Sequence, residues 1–474
     1  MTTPEQPSSL SPETLASLIA RSTALVGSDA LLVGTRTANY MVEDQLPSLV
    51  ALPGTPSQLA SLLALAGELG AAVAPWGGGT QMGIGYPLRR VDAVISLERL
   101  NTVLTHTPAD HEVTVQAGCT VAALNATLAT QGQFVALDGP MGAHATVGGR
   151  LATGTVGLRR GRYGNVRDLI TNLVIARSDG VLMHTGGEVA RNMLYHTLGY
   201  DLNKLYVGSL GTLGVIIQAT LRTAPISEAE ATVVASFEDV SIIWELLEDL
   251  EAAELFPAAL TVCGPGVLAA DRGLTAEGAD QLQPAAHPLL LVRLASDQQT
   301  LRRQALTVYS FIMKYSERRP LLLSRAAGLP VWAALNELPA TADLLPTEAV
   351  IKVGVLPSEL AKVIELAHTI GAEHDLRLAW MGDAATGQVW LRVMGARDAA
   401  GAEDRTAFAA SLMGLQSALA RIWRNATVLG CAPELRAHLP IWGADPEGVD
   451  LLRALKGRFD PLEVLNPGRF GGPA

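Results

Sequence analysis

The chain has 474 residues, 46 acidic side chains against 35 basic ones for a net charge of −11, and 49% apolar residues. That length accommodates about two to four domains with buried cores, and the apolar content sets the chain apart from disordered sequences. The negative charge argues against a nucleic-acid binder, which needs a basic face to displace counterions, and against docking on anionic lipid by charge alone.

The first twenty residues lack the basic region and apolar core of a secretory signal. No run of about 18 apolar residues is present to cross a membrane. Cys119, Cys263 and Cys431 are far apart, with no CxxC pair and no iron–sulfur spacing. These features predict a cytoplasmic protein with buried thiols, not inserted directly in a membrane.

Thr55-Pro56-Ser57-Gln58 reads as a capping box with proline at the first helical position, opening a helix closed by Gly70. A short buried strand follows over 71–75. The segment 74–87, APWGGGTQMGIGYP, then places five glycines within 77–85. So much backbone freedom serves either a tight turn or an anion held on main-chain amides. The next element is VDAVISL, a strand by its β-branched content, and no helix starts at the loop. That excludes the strand–loop–helix of a Rossmann fingerprint or a Walker A loop.

Farther on come a strand over 112–118, a capped helix over 120–131 and a hairpin turned at Ser178-Asp179-Gly180. A long strand over 214–225 ends at a proline. Beyond it the order β-α-β-β-α occurs twice, at 231–314 and again at 349–424. Two such units suit a ferredoxin-like or duplicated split-βαβ sheet. Residues 315–348 fit neither unit and read as an insertion or lid.

The ordered succession P-G-T-P-S-Q-L, W-G-G-G-T, L-D-G-P, A-T-V-G-G, Y-G-N-V-R-D-L, S-D-G, G-Y-D-L-N-K-L and G-S-L-G-T-L-G-V-I resembles the FAD-binding domain of the vanillyl-alcohol-oxidase type. More narrowly, it is similar to the FAD-binding subunits of glycolate oxidase and related D-lactate dehydrogenases. The closing FDPLEVLNPGRF, residues 459–470, resembles that family's final segment. The resemblance implies an α+β fold, with a two-subdomain PCMH-type FAD-binding domain followed by a ferredoxin-like cap domain. The implied division is a helical lead-in over 1–44, the FAD domain over 45–226, the substrate (cap) domain over 227–457, and a segment over 458–474 returning to the FAD domain.

Carried across position by position, the resemblance implies a pyrophosphate against Trp76, Gly77, Gly78, Gly79, Thr80, Gln81 and Gly83. Successive glycine amides form an anion nest without a lysine, side chains at Gly77–Gly79 would keep the backbone from the phosphates, and Thr80 and Gln81 add donors. Leu137, Asp138, Gly139 and Pro140 match the loop beside the flavin. Thr146, Val147, Gly148 and Gly149 match the turn on the isoalloxazine and ribityl, and Thr153, Gly154 and Gly157 match the next turn. Tyr163, Gly164, Arg167 and Asp168 match the segment near the adenine-side pyrophosphate. Gly211, Gly214, Val215 and Ile216 match the stretch whose backbone reads the adenine. Each glycine also reads as a plain turn, and Val215 and Ile216 as strand core. The loop holds neither histidine nor cysteine, so the FAD is expected to be non-covalent.

Dehydrogenases of this family carry an H-x-G-D-G-N-x-H-like motif whose histidines hold a divalent metal. Here the matching place is WMGDAATGQVWLRV, residues 380–393, with Trp380 for the first histidine and Gln388 or a neighbour for the second. No metal site is expected, and His368 and His374 read as exposed helix-end residues. The loss resembles the smaller FAD-binding subunit of glycolate oxidase. That implies a small 2-hydroxy acid substrate, hydride transfer to flavin N5, a metal-bearing sister flavoprotein and an iron–sulfur partner. A self-sufficient metal-free hydroxy-acid or sugar-acid dehydrogenase and a non-catalytic FAD scaffold or electron relay are the alternatives. The catalytic candidates are His196, in an insertion before Gly199, and Arg392, which would pair a substrate carboxylate. Against them stand an exposed loop histidine, a solvated arginine, and Trp380 and Trp390 as core aromatics of a hairpin.

Overall fold

The computed structural model describes residues 10–185, 201–253, 255–268, 282–284, 286–395, 404–443 and 448–470. Three large sheets organise them, beside a two-stranded pairing of Gln133–Phe134 with Ala224–Pro225. In the first, Leu49–Ala51, Ala93–Ser96 and Val73–Trp76 run parallel, and Leu31–Val33 adds antiparallel at the edge. Strands covered on both faces read as unbroken apolar runs, which is why these short segments do not alternate. The helix Pro56–Leu69 covers this sheet. Thr55 Oγ1 accepts from Gln58 N at 3.2 Å, Gln58 Oε1 accepts from Gly54 N at 2.8 Å, and Gly70 closes the helix at φ 66°. Helix Pro12–Val26 and strand Leu31–Val33 join the same core, so the lead-in is built into the N-terminal domain.

The second sheet is antiparallel, in the order Val103–Thr107, Glu112–Gln116, Val215–Arg222, Ile170–Ala176, Leu182–His184. It shares one hydrophobic core with the first.

The third sheet has eight antiparallel strands and forms the C-terminal domain. Its first half runs Leu321–Ser324, Ala229–Ser236, Leu289–Ser296, Ala259–Cys263, and its second half runs Arg377–Asp383, Gln388–Met394, Glu348–Gly354, Thr427–Gly430. Each half has the order 4-1-3-2 of a ferredoxin-like unit, and the two meet where Ala259–Cys263 pairs with Arg377–Asp383. Residues 315–348 are therefore not an insertion alone. Leu321–Ser324 supplies the fourth strand of the first unit, and helix Arg325–Glu337 then packs on the sheet face opposite the other helices. The last segment returns to the N-terminal domain, where Val73 N donates to Val464 O and Asn466 N donates to Val73 O.

Candidate active site

Strand Val73–Trp76 delivers the chain into the glycine-rich loop. Among the described residues, none of the seven backbone N–H groups from Gly77 to Gly83 donates to a protein acceptor. Unpaired amides in a recess are costly unless water or a ligand takes them, and consecutive ones form a concave seat for an anion. The glycines themselves answer to a different neighbour. A Cβ on Gly78 would lie 1.9 Å from the His144 carbonyl oxygen, and one on Gly77 would lie 2.2 Å from Thr146 Oγ1. Gly79 has φ 70° and stands against the Trp76 ring. The expectation that side chains here would obstruct a phosphate is thus refined: they would first meet the 144–146 segment and the Trp76 ring, which pack directly on the loop.

The opposing wall is the segment after His144. Thr146 Oγ1 caps helix Val147–Thr153 by accepting from Gly149 N at 3.2 Å. Gly148 fits against Ala117, where a Cβ would come within 2.7 Å. Gln81 does not offer its amide to the recess. Its Nε2 donates to Thr155 Oγ1 at 2.7 Å, and its Oε1 accepts from Thr153 at 2.8 Å, tying the two walls together. Gly211, Gly214, Val215 and Ile216 form the floor, and Gly214 is pressed to Ile175. The C-terminal segment closes the cavity with Asn466 and Arg469. Asn466 Nδ2 donates to Leu210 O at 2.8 Å, while its buried Oδ1 has no partner and is free to accept from a ligand.

One cavity therefore gathers Trp76, Gly77, Gly78, Gly79, Thr80 and Gln81 with Thr146, Gly148, Gly149 and Thr153 and the four floor residues. The other sequence candidates lie behind its walls. Val147 and Leu137 are core. Gly83 continues the loop toward the C-terminal domain, with Arg436 Nη1 the nearest atom to its Cβ position. Asp138 forms a bidentate pair with Arg159 at 2.6 and 2.7 Å. Burial opposes its ionisation, but the Arg159 guanidinium, by charge and by hydrogen bond, holds the carboxyl below its usual range. Gly139 makes room for the buried Arg150, which donates to Pro140 O. Gly157 faces the Asp138 backbone, and Gly154 is the left-handed cap of the short helix. The Tyr163 ring meets Phe134 edge-on. Gly164 and Asp168 shape a local turn, with Asp168 accepting from Asn165 N at 2.9 Å. Arg167 lines a separate groove with Lys204 and Lys456.

The C-terminal sheet turns one face to this domain. Strand register puts Lys352, Met381, Asp383, Gln388, Trp390 and Arg392 on that face, and Trp380 on the helix-covered one. Met381 and Trp390 pack with Trp332, Leu335 and, from the N-terminal domain, Leu158. Asp383 is fully buried, and burial raises its pKa to about 6 against hydrogen bonds from Thr386 and Ala385 N in its own turn. Lys352 is different. Among the described residues neither its ammonium nor the Arg160 guanidinium has a hydrogen-bond or ion-pair partner, and burial followed by the nearby Arg160 charge lowers the Lys352 pKa.

Arg392 is neither free for a substrate nor solvated. Its Nη2 donates to Glu348 Oε2 at 2.7 Å, across a pair whose side chains are 25% and 14% exposed. That engagement competes with the carboxylate pairing expected of it. Arg392→Met should cost about 1–3 kcal/mol by stranding a partly buried carboxylate. Calorimetry should show a lower Tm, with turnover per folded enzyme unchanged. His196 falls outside the described residues. His368 and His374 are exposed, and among the described residues no group of three or more His, Cys, Asp or Glu side chains is placed to hold a metal. Lys352 went unnoticed in the sequence because AVIKVGVL reads as plain strand. The available signal was one cation in an otherwise apolar run.

Comparison with known proteins agrees with this geometry. Residues 47–186 match the FAD binding domain family, and residues 226–420 and 442–470 match the C-terminal domain family of FAD linked oxidases. The chain is 26% identical over 435 residues to the glycolate oxidase subunit GlcD of Bacillus subtilis, spanning 90% of this chain and 89% of that protein. It is also 26% identical over 440 residues to a D-2-hydroxyglutarate dehydrogenase of Xanthomonas citri pv. viticola, again across 90% and 89%. Among solved structures, p-cresol methylhydroxylase with substrate bound superposes with a TM-score of 0.75 at 15% identity, over 98% of each chain. That likeness establishes the PCMH-type fold. The cofactor is FAD. The free loop amides and the orphaned Asn466 oxygen fit such a group, one as anion seat and the other as acceptor for a ligand N–H or O–H.

Proposed function

The chain belongs to the family of FAD-linked oxidases, and on that premise we propose that it oxidises the alcohol carbon of a small 2-hydroxy acid. The observation that carries this reading is the pair of unpartnered cations, Lys352 and Arg160, at the face where the two domains meet. A desolvated lysine ammonium with no carboxylate bonded to it, beside a second cation, is unfavourable, and an anionic substrate relieves it.

Bound FAD supplies the hydride acceptor. The chain's own residues do the rest by position and charge. The glycine-loop amides would hold the cofactor's anionic part, and the Thr146 turn would lie along its isoalloxazine and ribityl. Lys352 and Arg160 fix the substrate carboxylate, which aims its hydroxyl-bearing carbon and lowers the entropy cost of the encounter. Trp390, buried beside Lys352, keeps water from the reacting face. Asp383, with both oxygens engaged by its own turn, supports Arg160 electrostatically.

The protein would work with partners. Trp380 and Gln388 where the family's metal motif has histidines favour a sister flavoprotein that keeps the metal, with an iron–sulfur subunit to take electrons. Yet the free cations favour a subunit that meets substrate itself over a pure electron relay. Three buried free cysteines fit a reducing compartment, and we assign the protein to the cytoplasm. Among the described residues no helix is long and apolar enough to cross a membrane. The test is anaerobic addition of glycolate, D-lactate or D-2-hydroxyglutarate to the flavin-loaded chain, alone and co-expressed with its genomic neighbours. One of these acids should bleach the visible flavin band. A flavin that none of them reduces in either setting overturns the assignment.

A further inference from the structure

Three side chains from distant parts of the sequence meet beneath the glycine loop. Glu43 Oε1 accepts from Arg436 Nη2 and from Arg469 Nη1, both at 2.7 Å, and the three side chains are only 5%, 2% and 3% exposed. Glu43 stands on a tight turn closed by the Val42–Gln45 bridge, with a left-handed φ of 58° that only glycine adopts without cost. From that turn its carboxylate reaches both arginines. Arg436 comes from the C-terminal domain, in the short helix Pro433–Arg436. Its Nη1 donates to Gly83 O and, at 3.1 Å, to Gly85 O. Arg469 Nη1 donates to Tyr86 O at 3.1 Å. These bonds tether the C-terminal end of the glycine-rich segment, at Gly83, Gly85 and Tyr86, to the buried cluster.

The charge count is unequal. Two buried guanidinium groups share one carboxylate, Arg436 Nε has no partner, and Arg469 reaches the wall of the cofactor cavity. A buried surplus cation is unfavourable until an anion arrives.

We propose that Arg436 is a positioning residue for the cofactor: from the second domain it anchors the end of the glycine loop and, with Arg469 against Glu43, supplies the buried positive charge that retains the FAD pyrophosphate. The proposal rests on this loop being the pyrophosphate seat. Cofactor occupancy is then coupled to docking of the C-terminal domain, since one arginine serves both.

The test measures dissociation constants of the full chain, stripped of FAD, for FAD, for ADP and for riboflavin, which carries no phosphate. Arg436→Gln should weaken FAD and ADP by about 30-fold or more, in the range of a lost hydrogen bond to a charged group, and leave riboflavin unchanged. Arg436→Lys should recover much of the ADP affinity. Glu43→Gln, which raises the net positive charge, should keep or tighten ADP binding even where it lowers Tm. Equal loss of all three ligands in both Arg436→Gln and Glu43→Gln would mean a merely structural cluster and overturn the proposal. So would unchanged ADP affinity in folded Arg436→Gln. If the unsubstituted chain binds FAD but not ADP, the pyrophosphate seat itself is misplaced. Should Arg436→Gln not fold, the sign of the Glu43→Gln effect on ADP decides alone.

Discussion

Lys352→Met should lower kcat/KM for the 2-hydroxy acid roughly 10- to 150-fold, the loss expected from about 1.5–3 kcal/mol for a hydrogen bond to a charged group. The effect should fall mainly on KM, because a carboxylate is held alike before and during reaction at the neighbouring carbon. Flavin content should not change, since Lys352 lies on the C-terminal sheet and not on the cofactor cavity wall. Stability should hold or rise: methionine has a similar shape, fits the apolar strand, and removes a desolvated charge repelled by Arg160. Arg392→Met gives the opposite pattern, and the pair of variants separates substrate binding from scaffold. The unsubstituted enzyme adds a pH signature. Burial and Arg160 place the Lys352 pKa below that of an ordinary lysine, so on alkaline titration the ammonium is lost early. KM should therefore climb with pH before free lysines titrate, and Lys352→Met should lose that limb. A flat KM across the range in the unsubstituted enzyme would remove Lys352 from the site.

Why Arg392 stood out in the sequence and Lys352 did not is a matter of what strands hide. Both belong to one sheet face, but facing requires register, and register is set by pairing between segments about forty residues apart. An arginine after two tryptophans looks like a site; only the structure shows Glu348 already holding it. Local features were easier. Thr55, Gly70, Thr120 and the Ser178–Gly180 turn follow from capping and turn chemistry, and each is found where those rules put it. The duplicated β-α-β-β-α order was also visible. The fourth strand of the first unit was not, since Leu321–Ser324 has four residues and earns its place only by pairing with Ala229–Ser236. The glycine loop was legible as an anion seat, while the reason for its first glycines, the carbonyl of His144, lies some sixty residues on. The buried trio of Glu43, Arg436 and Arg469 spans almost the whole chain, and no periodicity or spacing links such residues.

Gly78 and Gly83 belong to the same run, yet alanine should have opposite consequences at the two. At Gly78 the new Cβ would sit 1.9 Å from the His144 carbonyl oxygen, whose carbon lies 2.8 Å away. Backbone cannot rotate aside as a side chain can, so the loop and the 144–146 segment must part. That separation pulls the free amides of residues 77–83 away from Thr146 and Gly149 and opens the cavity between them. The cost should exceed about 3 kcal/mol, in the range of strain at an over-determined backbone site. FAD affinity should then fall on the order of a hundredfold or more, and the protein should purify colourless. At Gly83 the nearest atoms to a Cβ are Arg436 Nη1 at 3.9 Å and Thr341 O at 4.0 Å, ordinary contacts, and φ is not left-handed. Gly83→Ala should therefore keep a wild-type ratio of FAD to protein. Far-UV circular dichroism confirms that Gly78→Ala is folded before its flavin content is read. Full flavin occupancy in Gly78→Ala would show that the two walls are not jointly needed. Loss in Gly83→Ala would show that chain entropy across the run, and not close packing at its start, sets the cofactor seat.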